Sequence, residues 1–377
     1  MTVSCVKLKR ASIISTGAAA IAVAACTGFF TAPASAEVSF AGKRIVWVVP
    51  SREGGGTDTL ARFLVPHFKK HLPGNPTIVV QNIPGKGTLP GINQYWHNAK
   101  DDGLMVLSMT TGGQTNAAFG HKAVKYKLSK FQVLMGVPQG TFVYGQPSLG
   151  IKGPGDIATL LEAGKTKALT FGGQSPTSAE VRMLVAWDAL GVNAKPVWGL
   201  SRGKSRKAFM RKEFDLMYDT ASGWIKRARK LVKKNQAVPL FTFGVENADG
   251  TIVRDPVEPN LPTFLEVYEK VHGKKFSGLA YKAWHATFSI AVMNSKAIVM
   301  HPNTKPEILA TYHDTVQKIL KDPDFLKAKK KWIGIYEIST GKRAQKIMTS
   351  GAEIDPKACG WLTNFLKTKY DANVNCM

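Results

Sequence analysis

From residue 44 to residue 244, short apolar runs rich in β-branched residues alternate with segments whose apolar positions recur at helical spacing. The runs are RIVWVV (44–49), TIVVQN (77–82), LMVLSM (104–109), TFVYG (141–145), ALTFGG (168–173), FDLMYD (214–219) and PLFTFG (239–244). The helical patterns fall at 58–72, 91–99, 155–164, 177–190, 202–212 and 222–234. A sheet made of such runs must be covered on its apolar faces, and the intervening helices each offer one stripe to cover it. Alternation at this pitch predicts an α/β fold with largely parallel sheets. The last third is more helical: 304–321 lines Ile308, Leu309, Tyr312, Val316, Ile319 and Leu320 along one stripe, with Pro306 in its first turn. A second helix follows DPDF, and 341–371 reads as a closing helical layer. Pro66 lies well inside the 58–72 pattern and is expected to kink or split it.

The first residues stand apart from this pattern. Lys7, Lys9 and Arg10 precede the uncharged ASIISTGAAAIAVAACTGFF, and APASA closes on Ala34 and Ala36. That is the layout of a secretory signal peptide over 1–36, cleaved after Ala36. Val23-Ala24-Ala25-Cys26 resembles a lipoprotein box, but Phe29 and Phe30 read as a continuing apolar core and favour the later site. Removing 36 of 377 residues leaves 341, enough for two domains, and removing three positive charges takes the net charge from +25 to +22. No later stretch is long and apolar enough to span a membrane. Cys359 and Cys376 are the cysteines left. In an oxidising compartment they are expected to pair and tie the tail to the last helix, the alternative being two free thiols.

An exported chain rarely meets nucleic acid, so the basic balance does not indicate a nucleic-acid partner. Two readings remain: a positive field that gathers anionic ligands, or a solvated lysine coat. Runs such as KKHL, RKLVKK and KAKKKW sit at helical spacing and are expected to face water.

Catalytic signatures come close and fail. EAGKT (162–166) has Thr159 where a phosphate-binding loop needs its first glycine, and in GLSRGKS Gly199 stands one residue too close to Gly203. The triplet at 54–56 is not a dinucleotide fingerprint, and GGQSPTS lacks the closing glycine of a nucleophile elbow around Ser175. His67 and His71 are four apart, yet no glutamate follows His67; an exposed pair on a basic helix is the expectation, and no metal site. No cofactor is implied.

What remains is anion-binding geometry without a catalyst. Gly54, Gly55 and Gly56 precede a helix whose first N–H groups point back at the loop, where the helix dipole adds about half a positive charge. The design recurs at FGGQSPTSAEV, where Ser175, Thr177 and Ser178 stand at a helix start. Each could serve as a plain N-cap; two such loops in different halves of the chain suggest a ligand gripped from both sides of a cleft.

These residues carry a resemblance. KRIVWVVPSREGGGTDTLARFLVPHF, followed by IVVQNIPGKGTLPGINQYWHNAKDDGLMVL, resembles the opening of the tripartite tricarboxylate transporter receptors, the Bug-type periplasmic solute-binding proteins. FGGQSPTSAEVRMLVAWDALGV looks like their second-domain loop and helix, FDLMYDTAS like the strand ending in a cleft-facing Asp, and NLPTFLEV like their P-T-x-x-E segment. The match runs in order from about residue 42 to 370. It implies a two-domain Venus flytrap: domain I from 37–141 and 285–377, domain II from 142–284. A small organic carboxylate would bind in the cleft, and the mature receptor would be periplasmic and monomeric. Its partners would be the large and small integral membrane subunits of a permease. By position, the contacts would fall on Pro50, Ser51, Arg52, Gly54 and Gly55, on Thr110 and Thr111, on Ser175, Thr177 and Ser178, and on Asp219 with Thr220. Asp219 would meet a ligand ammonium or hydroxyl, or else cap the next helix.

The chain also departs from that pattern. Ser51, Arg52 and Glu53 stand where an aromatic and prolines are usual, and Trp198-Gly199-Leu200-Ser201-Arg202-Gly203 replaces a Tyr-Lys-Gly stretch. Arg52 and Arg202 become candidate anion partners and Trp198 a candidate pocket wall, favouring a ligand with more than one negative charge. Two rivals accompany this reading: a flytrap that signals to a membrane histidine kinase, and an exported hydrolase with Ser175 as nucleophile.

Overall fold

The computed structural model describes residues 38–247 and 249–375. The expected signal peptide, Cys26 and Cys376 lie outside the described residues. The strands are β1 (Arg44–Val49), β2 (Thr77–Asn82), β3 (Met105–Thr110), β4 (Gln132–Val137), β5 (Thr141–Gly145), β6 (Leu169–Gly172), β7 (Ala194–Val197), β8 (Leu216–Thr220), β9 (Val238–Thr242), β10 (Val245–Glu246), β11 (Ile252–Val253), β12 (Lys296–Met300) and β13 (Ser339–Thr340). The helices that shape the site are α1 (Gly56–His71), α2 (Leu89–Asn98), α3 (Thr111–Ala118), α4 (Ala158–Thr166), α5 (Val181–Ala189) and α6 (Arg202–Met210).

One lobe is built on a six-stranded sheet ordered β13-β4-β12-β3-β1-β2, and the other on a three-stranded sheet, β8-β5-β9, with the pair β6-β7. The sheets are mixed, not largely parallel. β1 runs parallel to β2 and β3, and β6 to β7, but β12 and β13 enter the first sheet antiparallel and β5 is antiparallel to β8 and β9. The cause is a long return: the chain leaves the first sheet after Val137 and re-enters at Lys296. A strand that returns from the other lobe needs no crossover helix and can run either way. Sequence periodicity marked neither β4, β7 nor β12, nor the helix Gly278–Phe288.

Alternate side chains of the first sheet enter different cores. Ile45, Trp47 and Val49 pack with Leu60, Leu64 and Phe68 of α1, while Val48, Leu107 and Met109 pack with Leu89, Ile92 and Tyr95 of α2. Each such buried side chain contributes about 1.5–3 kcal/mol. In the second lobe Val143, Leu216 and Tyr218 face one cluster, and Phe142, Tyr144 and Met217 another. The closing layer is two helices, Gly341–Ala352 and Pro356–Tyr370, and Leu362, Phe365 and Leu366 join the cluster that holds Leu184 and Trp284. Cys359, on that last helix, is disulfide-bonded.

Pro66 neither splits nor ends α1, which continues to His71. The proline is exposed, as is Arg62, whose carbonyl loses its helical donor and can be served by water instead. His67 and His71 are half-buried, not an exposed pair: the His67 ring lies edge-on to Phe63 and Phe325, and His71 Nε2 sits 2.7 Å from Asp322 Oδ2. Among the described residues no His, Cys, Asp and Glu cluster could hold a metal ion, and no helix is long and apolar enough to cross a membrane.

The P-T-x-x-E segment forms a full capping box. Thr263 Oγ1 accepts from Glu266 N at 3.1 Å, and Glu266 Oε2 accepts from Thr263 N at 2.7 Å. Thr263→Ala should cost about 1 kcal/mol, read as a lower urea midpoint at unchanged slope. An unchanged midpoint would mean the cap contributes nothing here.

Candidate functional site

The glycine loop follows β1. Gly54 has φ +71°, a conformation open to glycine at little cost, and Gly55 is the extended N-cap of α1. The loop is braced from within. Asp58, 2 % exposed, accepts from Gly54 N at 2.8 Å, from Arg62 Nε at 2.9 Å and from Asn82 Nδ2 at 2.9 Å. Asn82 Nδ2 also donates to Ser51 O at 3.0 Å. Burial pulls the Asp58 carboxyl upward, but Arg62, Asn82 and the Gly54 N–H together hold it below the usual range. The fixed negative charge at the helix start is therefore the chain's own. Pro50 is buried, with α2 so near that a Cβ on Gly91 would approach Pro50 Cβ at 2.8 Å. Ser51 Oγ is shielded from solvent and has no partner among the described residues. Arg52 is exposed and makes no ion pair among them.

The second wall of this lobe is the carboxyl end of β3. Thr110 caps α3 by accepting from Gly113 N at 3.0 Å, and its hydroxyl lies 2.7 Å from that of Thr88. Thr111 Oγ1 donates to Ser295 O at 2.8 Å. Because β12 runs antiparallel to β3, its first residue, Lys296, pairs with the last residue of β3, Thr110. The register thus places a lysine at the carboxyl ends of the strands, where open α/β sheets bind ligands.

In the second lobe the loop after β6 is organised around Glu180, 1 % exposed. The Ser178 hydroxyl sits between Ser175 O, at 2.9 Å, and the Glu180 carboxylate. Ser175 Oγ lies 3.4 Å from Thr177 Oγ1, and among the described residues no histidine hydrogen-bonds to it. Glu180 Oε1 accepts from Tyr218 OH at 2.8 Å and from Arg202 Nη2 at 2.9 Å. Burial raises the Glu180 carboxyl, and Arg202, Ser178 and Tyr218 outweigh it and keep the group ionised. Arg202 lies face-on to the Tyr218 ring at 3.4 Å, but its Nη1 is buried without a partner. Trp198 is half-buried, edge-on to Tyr370 and tight against Gly173.

Asp219, expected to face the cleft, does not. It is fully buried; Arg206 pairs with both its oxygens and Tyr144 OH donates to Oδ2 at 2.8 Å. Nor does it cap a helix, because its partner lies thirteen residues upstream on α6 and reaches it across the lobe. Thr220, half-buried, ends β8 opposite Thr141, with its Oγ1 3.5 Å from Ser222 Oγ.

Two residues that sequence reasoning passed over complete the arrangement. Arg182, 1 % exposed, stands on the otherwise apolar α5. Its guanidinium donates to Ala179 O and, at 3.3–3.4 Å, to Thr141 Oγ1, all neutral acceptors. Among the described residues Lys296 Nζ donates only to Ser295 O, at 3.3 Å. Burial pushes its ammonium down to about 8, and Arg182 and Arg202 across the gap add to the shift. A charged residue inside the VRMLVAWDA pattern was the available signal for Arg182; nothing local flags Lys296. A hollow of about 520 Å³ also borders the glycine loop, lined by Glu53, Gly54, Asp58, Thr59, Arg62, Phe63 and Trp332, and none of the cations Lys296, Arg182 and Arg202 lines it.

Two α/β lobes with polar loops from both at the strand ends define the fold of the periplasmic solute-binding proteins, and specifically of the Bug and TctC type. The periplasmic binding protein BugD superposes with a TM-score of 0.58 at 19 % identity, over 86 % of this chain and 97 % of that one. MatC from Rhodopseudomonas palustris with bound malate gives 0.58 at 18 %, over 86 % and 99 %. A second R. palustris protein, with adipate, gives 0.61 at 18 %, over 86 % and 97 %. No protein-family model and no curated sequence matches the chain.

Proposed function

We propose that the chain is an exported receptor that binds a small organic carboxylate between its lobes and delivers it to a tripartite tricarboxylate-type permease with one large and one small membrane subunit. The observation that carries this is the wall between the lobes. Lys296 shares a register position with Thr110 at the end of β3, the charges of Arg182 and Arg202 bear on it, Arg182 donates to Thr141 on β5, and Arg202 Nη1 is left without a partner among the described residues: a surplus of positive charge, with no histidine on Ser175 among those residues. The shared fold adds support, since solved proteins of this fold hold malate and adipate. Of the contacts expected from sequence, Ser51, Thr110, Thr111, Ser175, Thr177, Arg202 and Thr220 stay in the proposed set. Asp219 acts as a brace, not a contact. A ligand that touches both lobes favours the closed form, and the permease would recognise that form.

Thermal unfolding of the mature chain against malate, adipate, citrate, glutamate and benzoate tests the reading. A ligand at a hundred times its Kd adds about 2.7 kcal/mol, a shift of a few degrees. A saturable shift with at least one acid is expected. Flat curves with all five would remove the carboxylate from the proposal.

A further inference from the structure

We infer that Lys296, Arg182 and Arg202 form an anion subsite between the lobes whose occupant carries two negative charges. The inference rests on the receptor reading only for the location of the cleft. The argument is one of charge balance. Arg182 and Arg202 both lie over the Tyr218 ring, at 5.2 and 3.4 Å, and their charges bear on Lys296, so three cations gather here from three separate parts of the chain: the start of β12, α5 and the start of α6. One carboxylate, Glu180, lies among them, and it is shared by Arg202, Tyr218 OH and Ser178. The neighbouring Asp219 does not reduce the surplus, because Arg206 takes both its oxygens. Among the described residues Lys296 has no carboxylate partner, and the acceptors of Arg182 are a carbonyl and a hydroxyl.

Two positive charges are thus left over, with Arg182 buried and Lys296 and Arg202 only partly exposed. Removing a charged group from water without pairing it costs several kcal/mol, and native proteins leave such groups unpaired rarely and at functional sites. The group that would settle the account is an oxyanion of charge −2. Arg202 offers its free Nη1, Lys296 its ammonium, and Thr110, which shares a register position with Lys296, a hydroxyl. A monoanion would leave one charge uncompensated, so the subsite selects by charge before it selects by shape.

Inorganic sulfate is the probe, because it keeps two charges throughout the range used and needs no knowledge of the natural ligand. The mature chain is titrated with sodium sulfate against sodium chloride at fixed ionic strength and pH 7.0, with calorimetry and thermal unfolding as readouts. Saturable sulfate binding is expected in the wild type. Lys296→Met should weaken it at least tenfold, and Lys296→Arg should restore most of it. Sulfate acting no differently from chloride, or binding Lys296→Met within twofold of wild type, would overturn the subsite.

A second measurement needs no variant. Of the charged groups facing Lys296, Arg182 and Arg202 stay protonated, Glu180 stays ionised and burial pushes the Tyr218 phenol well above its ordinary range, so between pH 7 and 9.5 Lys296 is the group among them that titrates. The sulfate Kd should be flat near pH 7 and then rise as the ammonium is lost, up to tenfold per pH unit above about 8. A flat Kd to pH 9.5 would count against Lys296. The two proposals also fail separately. A carboxylate shift that survives Lys296→Met keeps the receptor and overturns the subsite; a sulfate shift lost in Lys296→Met, with no carboxylate response, keeps the subsite and removes the carboxylate receptor.

Discussion

Arg206→Met is expected to destabilise the chain by about 3–5 kcal/mol, because it strips the partner from a carboxylate that has no exposure to water. Asp219 is 0 % exposed and the Arg206 side chain 7 %. After the substitution, Asp219 would keep, among the described residues, the Tyr144 hydroxyl at 2.8 Å for a charge held by two guanidinium nitrogens in the wild type. The packing leaves little room to adjust: a Cβ on Gly223 would stand 2.5 Å from Asp219 Oδ1 and 3.0 Å from Arg206 Nη2. The double variant Arg206→Met with Asp219→Leu should recover most of the loss, since replacing both charges by apolar groups of similar size leaves no charge stranded. Urea unfolding of the wild type, both single variants and the double variant reads the pair directly. A loss below 1 kcal/mol in Arg206→Met would mean that the pair contributes little and that Asp219 is available for some other partner.

The second large effect concerns the bond between the lobes. Asp255, 0 % exposed, follows β11 of the second lobe; Tyr336 precedes β13 of the first, and its hydroxyl lies 2.8 Å from both Asp255 oxygens. Val257 N donates to Oδ1 at 2.9 Å. The contact sits against Gly140, in the crossing segment between β4 and β5, where a Cβ would collide with the carboxylate and the phenol. No cation compensates Asp255 among the described residues, so burial pushes its carboxyl up to about 7, with Glu258 adding to the rise.

The folded value exceeds the unfolded one of 3.8, so the proton is held more tightly in the fold. The group therefore does no harm at pH 4 and becomes destabilising as pH rises from about 4 to 7, after which the cost is constant. The cost at the plateau is on the order of 4 kcal/mol. Asp255→Asn keeps the shape and removes the charge. It should be more stable than wild type by that order at pH 8, and equal to it at pH 4. Denaturant midpoints at both values test this, and an equal difference at pH 4 and pH 8 would show that Asp255 does not titrate as the geometry requires. Asp255 spans the two lobes beside the crossing strand, so the same variant should also change how readily they separate.

Much of the fold is visible in short stretches of sequence. Gly54 is needed because its backbone turns left-handed; Asp58 reaches Gly54 from four residues away; Thr263 and Glu266 close their box over three. Such features depend on neighbours along the chain, and periodicity reports them faithfully. The alternation of strands and helices fixes the α/β class for the same reason. Sheet direction is different. β12 and β13 join the first sheet after the chain has visited the second lobe, and no local pattern records which way a returning strand will run.

The candidate site divides along the same line. The glycine loop and the Ser175 turn could be found in sequence because each is a contiguous turn between a strand and a helix. Asp219 was misread for the opposite reason: a strand-end aspartate looks available until Arg206 arrives from α6. By itself the sequence determined most of the strands and helices, the glycine turns and the residues that carry charge. Only the tertiary structure decided which charges cancel. Lys296, Arg182 and Arg202 are more than a hundred residues apart at the extremes, and each is an ordinary cation in its own segment. They become an unbalanced cluster because the register of β12 against β3 and the packing of α5 and α6 bring them together in a half-buried place, where the cost of an unpaired charge depends on the surroundings and not on the residue.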